Sequence, residues 1–560
     1  MYQPLNRSQR EIRILYLLPG EYDDPVRCEL HAVSLSDKPG YEALSYSWGN
    51  QNVRHPIEVD GEETYITTNL YNVLRRLRLA ETTRHIWADA LCINQSDDVE
   101  RSHQVDLMRD IYSLTSQAIL WLGDFSDAES GIGLAISPSD GNYIYHKTAE
   151  EAFSLLQSMA ASHHWASREP SKQAAVKMKF DALSVLLNLS WWQRAWTVQE
   201  AVLPQEAVLY CGTIHLPLSE VALAHLTSLT HDRDGCCVAD SQCHDVLYKF
   251  WDCMEGFRML QEEPDKNILV RMALEMFRFR HATDPRDYVY AYLGLGANMF
   301  ADYTVSAEVA FKYFVRSMIE ESKDLGVLIR IQEYDRSLAL PTWCPDYGRK
   351  FPSGTYENLD QEYGWLHMYN WYHAGGTSQP RTRLSAIDSR LDLQGIVLDE
   401  IIQVEGPMYN RDNKGEKVSE WQRRDPRGCQ LGTIEEVGWC TMARDLWVVL
   451  SDQPRDYSRL RTRDGFETMI DEVWEPKLQS QFAVIQYQTF TTRTGLVGHT
   501  RLDVRAGDAV CVLLGGNMPF VLRPVHEHGA YTYIGQAFVH GIMDGEALQQ
   551  GRRIEWITLI

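Results

Sequence analysis

A polar stretch that directly follows a short apolar run carries side chains suited to chemistry. Residues 86–88 predict the end of a buried strand, and Asp89, Cys92, Asn94 and Gln95 come directly after it. A carboxylate, a thiol and two amides in one loop could bind a ligand. The structural alternative is that Asp89 and Asn94 satisfy turn amides and that Cys92 fills a small apolar space.

A second candidate group lies about a hundred residues further along the chain. The spacing of Trp192 and Trp196 predicts a helix with an aromatic face, and Glu200 falls four residues after Trp196 on that same face. A carboxylate on such a face is costly to bury alone, so a partner is required. The alternative to a catalytic Glu200 is an ion pair with Arg194 or Arg101 that anchors the helix.

The elements around the first group predict a βαβ unit. After the strand at 86–88, Asp97 and Glu100 are spaced as a helix N-cap and its N3 partner. The helix that follows leads into a second apolar run at 118–122. A right-handed crossover makes the two strands parallel, and ligands bind beyond the carboxyl ends of such strands. We therefore expect Asp89 at the ligand-binding edge of a parallel sheet.

The rest of the chain divides by pattern. Asp60-Gly61 predicts a hairpin turn, and Asn69 is the predicted N-cap of the helix that follows. The predicted fold class is α/β, and the predicted domains are an N-terminal β-hairpin at 1–40, an alternating α/β domain at 41–212, a helical extension at 213–300, an extended connector at 301–382 and a smaller β-rich domain at 383–560.

Composition excludes several classes of function. The 560 residues carry a net charge of −23, which argues against non-specific binding to nucleic acid or anionic lipid. No apolar run approaches the roughly 18 residues needed to span a bilayer, and the first residues lack a signal-peptide pattern. The 11 scattered cysteines are typical of free thiols in a reducing compartment. The expected location is the cytoplasm.

Metal and nucleophile motifs are weak. Cysteines and a histidine cluster at Cys236, Cys237, Cys243, His244 and Cys253, but no paired C-x₂-C spacing occurs, and the sequence predicts no metal site. There is no glycine-rich phosphate loop and no Gly-x-Ser-x-Gly nucleophile elbow. A kinase and a serine hydrolase of the elbow type therefore have little support.

Four sequence blocks together resemble a known family. They lie at 41–49, at 87–95 with Glu100-Arg101, at 108–112 and at 194–200, and they look like the fungal heterokaryon incompatibility (HET) domain. Segments between 507 and 546 resemble the tail of many such proteins. The resemblance implies a filamentous fungus and a role in non-self recognition, in which HET domains trigger programmed cell death as a form of innate immunity.

A second resemblance concerns mechanism. HET domains are similar to Toll/interleukin-1 receptor (TIR) domains, which implies a flavodoxin-like parallel sheet. Residues 196–200 reproduce the spacing of the TIR W-C-x-x-E element, with Thr197 in place of the cysteine. In TIR enzymes that glutamate is essential for cleaving NAD between nicotinamide and ribose, so the resemblance implies that Glu200 is catalytic. It also implies self-association, with NAD as a substrate rather than as a cofactor.

Loss of nicotinamide leaves positive charge on the ribose carbon, which a nearby carboxylate stabilises. Arginines would meet the phosphates. The residues expected to bind the substrate around Glu200 are Tyr46, Trp48, Asp89, Asn94, Arg101, Arg194 and Trp196. The alternative function is a non-catalytic module that signals by protein docking and self-association, which the 16 Trp and 28 Tyr would suit. The sequence leaves open the activating signal and the role of the β-rich domain.

Overall fold

The chain forms two compact units, residues 1–310 and 311–560. The computed structural model describes residues 2–124, 141–165, 170–237, 241–329, 336–348, 372–383, 389–405, 488–500, 503–525, 529–539 and 541–560. Within these ranges no helix has both the length and the apolar character that crossing a bilayer requires.

The first unit is built on a nine-stranded sheet in the order β5-β4-β2-β1-β6-β3-β7-β8-β9. Its strands are β1 (Glu11–Leu17), β2 (Arg27–Ser34), β3 (Glu42–Tyr46), β4 (Arg54–Val59), β5 (Glu62–Thr67), β6 (Arg84–Trp87), β7 (Gln117–Trp121), β8 (Ala207–Cys211) and β9 (Ile214–Pro217). The four strands β6, β3, β7 and β8 are parallel to one another. The last four residues of β3 and of β7 are all buried, as expected for parallel strands covered on both faces.

Helices of the first unit connect and cover these strands. They are α1 (Thr68–Leu77), α2 (Asp89–Cys92), α3 (Asp98–Asp106), α4 (Met108–Leu114), α5 (Gly141–Ala160), α6 (Pro170–Leu187), α7 (Thr197–Val202), α8 (Leu218–Arg233), α9 (Ser241–Glu262), α10 (Lys266–Met276) and α11 (Asp287–Leu293). A further helix, α12 (Ala307–Ser322), occupies part of the stretch that the sequence predicted to be an extended connector.

Several local predictions are confirmed. The βαβ unit runs from β6 to β7, and both strands are parallel to β3, which lies between them. Asp97 caps α3, since its carboxylate accepts hydrogen bonds from the backbone N–H of Val99 and of Glu100 at 3.0 Å each. Asp60 and Gly61 form the two-residue turn between β4 and β5 with φ values of 54° and 78°, as a type I′ turn requires.

One predicted cap, Asn69, and one predicted N3 partner, Glu100, are wrong. Asn69 lies inside α1, which begins at Thr68, and its amide donates to the backbone O of Ser47 and accepts from the Trp121 indole at 2.9 Å. Glu100 does not return to its own N-cap, because its carboxylate pairs with Arg13. In both cases a partner from a distant strand or loop takes the side chain that was expected to serve the helix N-terminus.

The N-terminal hairpin belongs to the main sheet. Strand β1 pairs with β2 on one side and antiparallel with β6 on the other, with Leu15 opposite Ile86. The sheet is therefore continuous across the predicted boundary at residue 40. The carboxyl ends of β6 and β3 lie in the middle of the sheet, with strands on both sides.

The second unit contains a mainly antiparallel sheet, which confirms the predicted β-rich C-terminal part of an α/β chain. Its strands are β10 (Thr382–Arg383), β11 (Leu391–Glu405), β12 (Gln488–Thr492), β13 (Val497–Thr500), β14 (Ala509–Leu513), β15 (Phe520–Val525), β16 (Ala530–Gln536), β17 (Phe538–Val539) and β18 (Glu555–Leu559). The long β11 pairs with β10, β12, β14 and β18, and its Ile396 and Ile401 join Val510 and Val521 in the core.

Candidate active site

The segment that carries Glu200 is not the single helix that the sequence predicted. A 3-10 turn covers Ser190–Gln193, the chain is extended at Arg194 with ψ 137°, and α7 begins only at Thr197. The break is tertiary in origin, because Ala195 N–H donates to the backbone O of His281 at 3.0 Å and Arg194 forms a bridge with the same residue.

This break lies between Trp192, in the 3-10 turn, and Trp196, the N-cap of α7. Trp196 itself stays one helical turn before Glu200, whose backbone N–H donates to the Trp196 O at 3.4 Å. The Trp196 indole interacts with the carboxylate of Asp287 in α11, whereas Glu200 is directed into the interior, where it is 4% exposed. The continuous aromatic face that helical spacing predicted is therefore interrupted between Trp192 and Trp196.

The direct partner of Glu200 is Ser45, the residue before the last in β3. The Ser45 hydroxyl donates to the Glu200 carboxylate and accepts a hydrogen bond from the Trp191 indole N–H at 2.8 Å. Trp191 is completely buried. This chain of hydrogen bonds places the Glu200 carboxylate beside the carboxyl end of a central parallel strand, with Trp191 rather than Trp192 or Trp196 as the adjoining indole.

The surroundings favour the protonated form of Glu200. Burial raises the pKa of its carboxyl group to about 7, and the nearby Asp89 carboxylate raises it as well. Arg194, the Ser45 hydroxyl and Arg280 act in the opposite direction but do not outweigh burial. Near neutral pH this group therefore exchanges a proton readily, a property typical of catalytic carboxyls and also found in buried structural ones.

Asp89 stands beside this carboxyl, directly after β6. Burial raises its pKa, while Arg194, the hydrogen bond from Trp48 and the nearby Tyr46 hydroxyl oppose the shift. The Trp48 indole N–H donates to the Asp89 carboxylate at 2.8 Å, and Arg194 donates to the backbone O of Tyr46. Four residues expected to bind the substrate, Tyr46, Trp48, Asp89 and Arg194, are thus brought together around Glu200.

Asn94 and Arg101 lie in other networks. The Asn94 amide oxygen accepts from the backbone N–H of Ser96 at 3.2 Å, which is the turn-stabilising role considered for it. The Arg101 guanidinium lies 3.8 Å from the centre of the Tyr303 ring and 3.6 Å from the Asp284 carboxylate. The contacts of these two residues, like the Trp196–Asp287 contact, lie apart from the Glu200 network.

Comparison with known proteins matches two parts of the chain. Residues 41–200 match the family described as heterokaryon incompatibility protein (HET), and residues 468–559 match the Het-6 beta-barrel domain. Residues 41–200 are thus similar to a HET domain. The chain is also similar to heterokaryon incompatibility protein 6, OR allele, of Neurospora crassa. The two are 24% identical in an alignment that covers 98% of this chain and 96% of the relative. No solved structure matches the chain.

The segment that matches the HET family holds two residues of the network that the sequence did not single out. Ser45 and Tyr112 lie within two of the four blocks that resemble the family, but nothing marked them individually. The Tyr112 hydroxyl donates to the backbone O of Leu44 at 3.0 Å, and burial together with the Glu200 charge raises its pKa well above the usual value. Ser45 lies on the buried strand β3 and Tyr112 on helix α4, so only the packing of that helix on that strand brings the two residues together.

Arg280 contributes from outside the residues that match the HET family. Its guanidinium is 1% exposed and donates to the Thr197 hydroxyl at 2.7 Å and to the backbone O of Arg194 at 3.2 Å. Thr197, which stands where the TIR-like pattern would place a cysteine, therefore serves as a buried polar link at the start of α7. No local signal in the sequence connected Arg280 with this site.

The arrangement has defined chemical capacities. A carboxyl group with a pKa of about 7 can act as a general acid or base near neutral pH, and when ionised it can stabilise positive charge. The second carboxylate, Asp89, and the cation Arg194 would give polar contacts to a ligand that carries hydroxyl and phosphate groups. Partly exposed Trp48 and Arg194 mark the side from which such a ligand would approach.

Proposed function

We propose that this protein acts in fungal non-self recognition and that its HET domain triggers cell death by hydrolysing NAD or a related nucleotide at Glu200. The matches to the HET family and to the Het-6 beta-barrel domain support the role in non-self recognition. The incompatibility protein of Neurospora crassa, to which nearly the whole chain is similar, supports the same role. The enzymatic step is supported by the surroundings of one carboxyl group.

The observation that carries the enzymatic proposal is the Glu200 carboxyl, held by Ser45 beside the carboxyl end of β3 with its pKa raised to about 7. In the proposed reaction the bond between nicotinamide and ribose breaks, and its electron pair neutralises the pyridinium nitrogen. Ionised Glu200 stabilises the positive charge that develops on the ribose carbon. A water molecule then adds to that carbon and gives up its proton to the Glu200 carboxylate, whose pKa of about 7 suits a general base.

The neighbouring side chains take supporting roles in this proposal. Asp89, which the Trp48 indole holds at 2.8 Å, accepts hydrogen bonds from the ribose hydroxyls. Arg194 pairs with the phosphates, for which its guanidinium is suited. The buried Trp191 lowers the dielectric near Glu200 and thereby strengthens the interaction of the carboxylate with developing charge.

Self-association is part of the proposal because Glu200 is buried and a substrate needs a route to it. The glutamate is 4% exposed, and Arg194 donates to the backbone O of Tyr46 beside it. Because the glutamate is nearly completely buried, a substrate reaches the carboxylate only after neighbouring side chains move. We propose that contact between copies of the HET domain provides this movement, so that hydrolysis depends on protein concentration or on a protein trigger.

Release of nicotinamide from NAD by the purified full-length protein tests the enzymatic proposal. We expect Glu200→Gln to reduce the rate by at least about 100-fold, as loss of an essential carboxyl does. Glu275→Gln is the matched control, because burial also raises the pKa of Glu275, but its charged neighbours are Arg278 and Arg271. Equal rates for wild type and Glu200→Gln, with both still killing cells on overexpression, would contradict hydrolysis and leave the role in non-self recognition intact.

A second candidate function is a non-catalytic HET module that signals by docking. The low exposure of Glu200 and its hydrogen bond with Ser45 favour it, because both suit a carboxyl that only stabilises the end of β3. In that case Glu200→Gln, which keeps the shape and the hydrogen bond, retains cell killing. Catalysis predicts loss of killing in the same variant at equal protein abundance.

A further inference from the structure

Four metal-ligating side chains meet in the first unit, at the ends of α5 and α8. They are His164, His231, Cys236 and Cys237, and their ligand atoms all lie within 4.8 Å of one another. We propose that these four residues bind one zinc ion in a tetrahedral Cys₂His₂ site. The sequence predicted no metal site, because Cys236 and Cys237 are adjacent instead of having C-x₂-C spacing and His164 lies far from them in the chain.

Backbone geometry at the end of α8 brings three of the ligands together. His231 lies in the last turn of α8, and Gly235 adopts φ 63°, which turns the chain back on itself. The backbone N–H of Cys236 then donates to the backbone O of His231 at 3.3 Å. Both thiols consequently face the His231 ring, which is the arrangement that a shared ion requires.

The fourth ligand comes from the turn after α5. Ser162 there has φ 56°, and its backbone N–H donates to the O of Met159 at 2.8 Å. The turn places the His164 ring in an edge contact with the His231 ring, with ring centres 4.9 Å apart. A zinc ion at this point would join the ends of α5 and α8.

Distances between the ligand atoms fit a tetrahedral ion. His231 Nδ1 lies 2.9 Å from Cys236 Sγ and 3.6 Å from Cys237 Sγ, and His164 Nδ1 lies 3.3 Å from Cys237 Sγ. Zinc bonds of about 2.0 Å to nitrogen and about 2.3 Å to sulfur at the tetrahedral angle separate the two ligand atoms by about 3.5 Å. The four side chains therefore need only small shifts to surround the ion.

An outer contact orients one ligand for metal binding. His231 Nε2 lies 3.3 Å from the Ser162 hydroxyl, so the proton can reside on Nε2 and leave the Nδ1 lone pair facing the thiols. Metal-binding histidines are commonly oriented by such a partner on the second nitrogen. The Trp165 ring packs against His231 with ring centres 4.8 Å apart and shields this side of the site.

Burial and charge are compatible with a structural zinc site. Cys237 and His231 are buried, and Cys236 and His164 are exposed, so the ion has a route of entry from solvent. Two thiolates neutralise the charge of Zn²⁺, which limits the cost of holding the ion in a partly buried site. His244, another member of the sequence cluster, pairs instead with Asp232 at 3.1 Å.

Metal analysis of the full-length protein tests the proposal directly. We expect one zinc per chain after purification without chelators. Replacement by Co²⁺ should produce the visible bands of a tetrahedral site together with thiolate-to-cobalt charge transfer. X-ray absorption of the zinc form should show two sulfur ligands at about 2.3 Å and two nitrogen ligands at about 2.0 Å.

Matched variants locate the ion. Cys237→Ser and His164→Gln should lose the equimolar zinc, whereas Cys243→Ser and His163→Gln, which change the neighbouring cysteine and histidine, should retain it. Ser162→Ala should lower zinc affinity by about tenfold, because it removes only the outer hydrogen bond. The Co²⁺ spectrum of the wild type decides the case if the ligand variants fail to fold.

Three results would overturn the proposal. The first is wild-type protein that carries no zinc after expression in zinc-supplemented medium and gives no tetrahedral Co²⁺ spectrum. The second is zinc retained equally by Cys237→Ser and by Cys243→Ser, which indicates adventitious binding only. The third is a disulfide between Cys236 and Cys237 in protein purified under reducing conditions.

Discussion

Glu100 and Glu200 are two glutamates in the first unit with opposite electrostatic surroundings. Glu100 accepts from both Arg13 terminal nitrogens, at 2.6 Å and 3.0 Å, and from the backbone N–H of Asn94 at 2.8 Å. Glu200 has a neutral hydroxyl, Ser45, as its hydrogen-bond donor. Burial alone would raise the pKa of both groups, but the Arg13 and Asn94 contacts lower the pKa of Glu100, whereas that of Glu200 rises to about 7.

The comparison separates an anchoring carboxylate from one that can exchange a proton near neutral pH. The Glu100–Arg13 pair has the form expected of a structural ion pair, which was the alternative considered for Glu200 with Arg194 or Arg101. Arg194 influences Glu200 electrostatically, yet its hydrogen bond goes to the backbone of Tyr46. The identity of the direct donor, guanidinium or hydroxyl, therefore decides which of the two roles a buried glutamate can take.

Removal of Arg13, the partner of Glu100, should cause the largest loss of stability. Arg13→Met leaves the Glu100 charge without its buried partner, and we expect a loss of about 3 kcal/mol or more in the free energy of unfolding. Arg10→Met is the control on the same strand region, because the Arg10–Asp110 pair is about two-fifths exposed on each side. It should cost under about 1 kcal/mol. Denaturant titration measures both, and equal losses would show that Arg13 is no more than a surface ion pair.

The second-largest effect should be the pH dependence of stability that the raised pKa of Glu200 causes. Its pKa is about 7 in the folded protein against 4.5 for the ordinary group, so the folded state binds more protons between these values. Stability from this group is present at low pH and falls by on the order of 3 kcal/mol as pH rises through 7. Glu200→Gln should remove that fall in thermal unfolding scans across the pH range. An unchanged slope would mean that Glu200 is ionised throughout.

Glu100→Gln should change the pH dependence in the opposite sense. Because the pKa of Glu100 is lowered, its contribution to stability is present above the ordinary carboxyl pKa and is lost as pH falls below it. The variant should therefore be less stable than wild type at pH 7 and should approach wild type in acid. If the two glutamate variants showed the same pH trend in parallel scans, the contrast between their surroundings would be wrong.

Ser45→Ala should give the smallest effect and should refine the account of Glu200. The variant leaves the buried Trp191 N–H without its acceptor, at a cost of about 1–2 kcal/mol. Because the Ser45 hydrogen bond lowers the pKa of Glu200, its loss should move the pH-dependent fall in stability to higher pH. Ser47→Ala, which removes a hydroxyl bonded to Ser190 at 2.9 Å, should leave that pH window unchanged.

The comparison also explains which local signals were sufficient in the sequence. Asp97 was correctly predicted as a cap and the Asp60-Gly61 turn as a hairpin, because each depends on backbone groups within three residues. Glu100, at the expected third position of a capping box, was misassigned. An arginine on β1 offers two charge-assisted hydrogen bonds, and these outweigh a single bond to the local backbone.

The sequence by itself determined the parallel strands, the βαβ crossover and the β-rich second unit, because apolar periodicity and turn residues act over a few positions. It also indicated that Tyr46, Asp89, Arg194 and Glu200 belong near one sheet edge. Tertiary structure alone decided the break before α7, where His281 captures the backbone of Ala195.

Tertiary structure also decided the partners of the reactive groups. Ser45 and Glu200 are 155 residues apart, and His164 meets His231 and Cys237 from another helix end. A residue's own neighbours specify whether it is buried and on which element it lies. Which donor or ligand it meets depends on how elements pack, and that packing is set by the summed burial of many distant side chains.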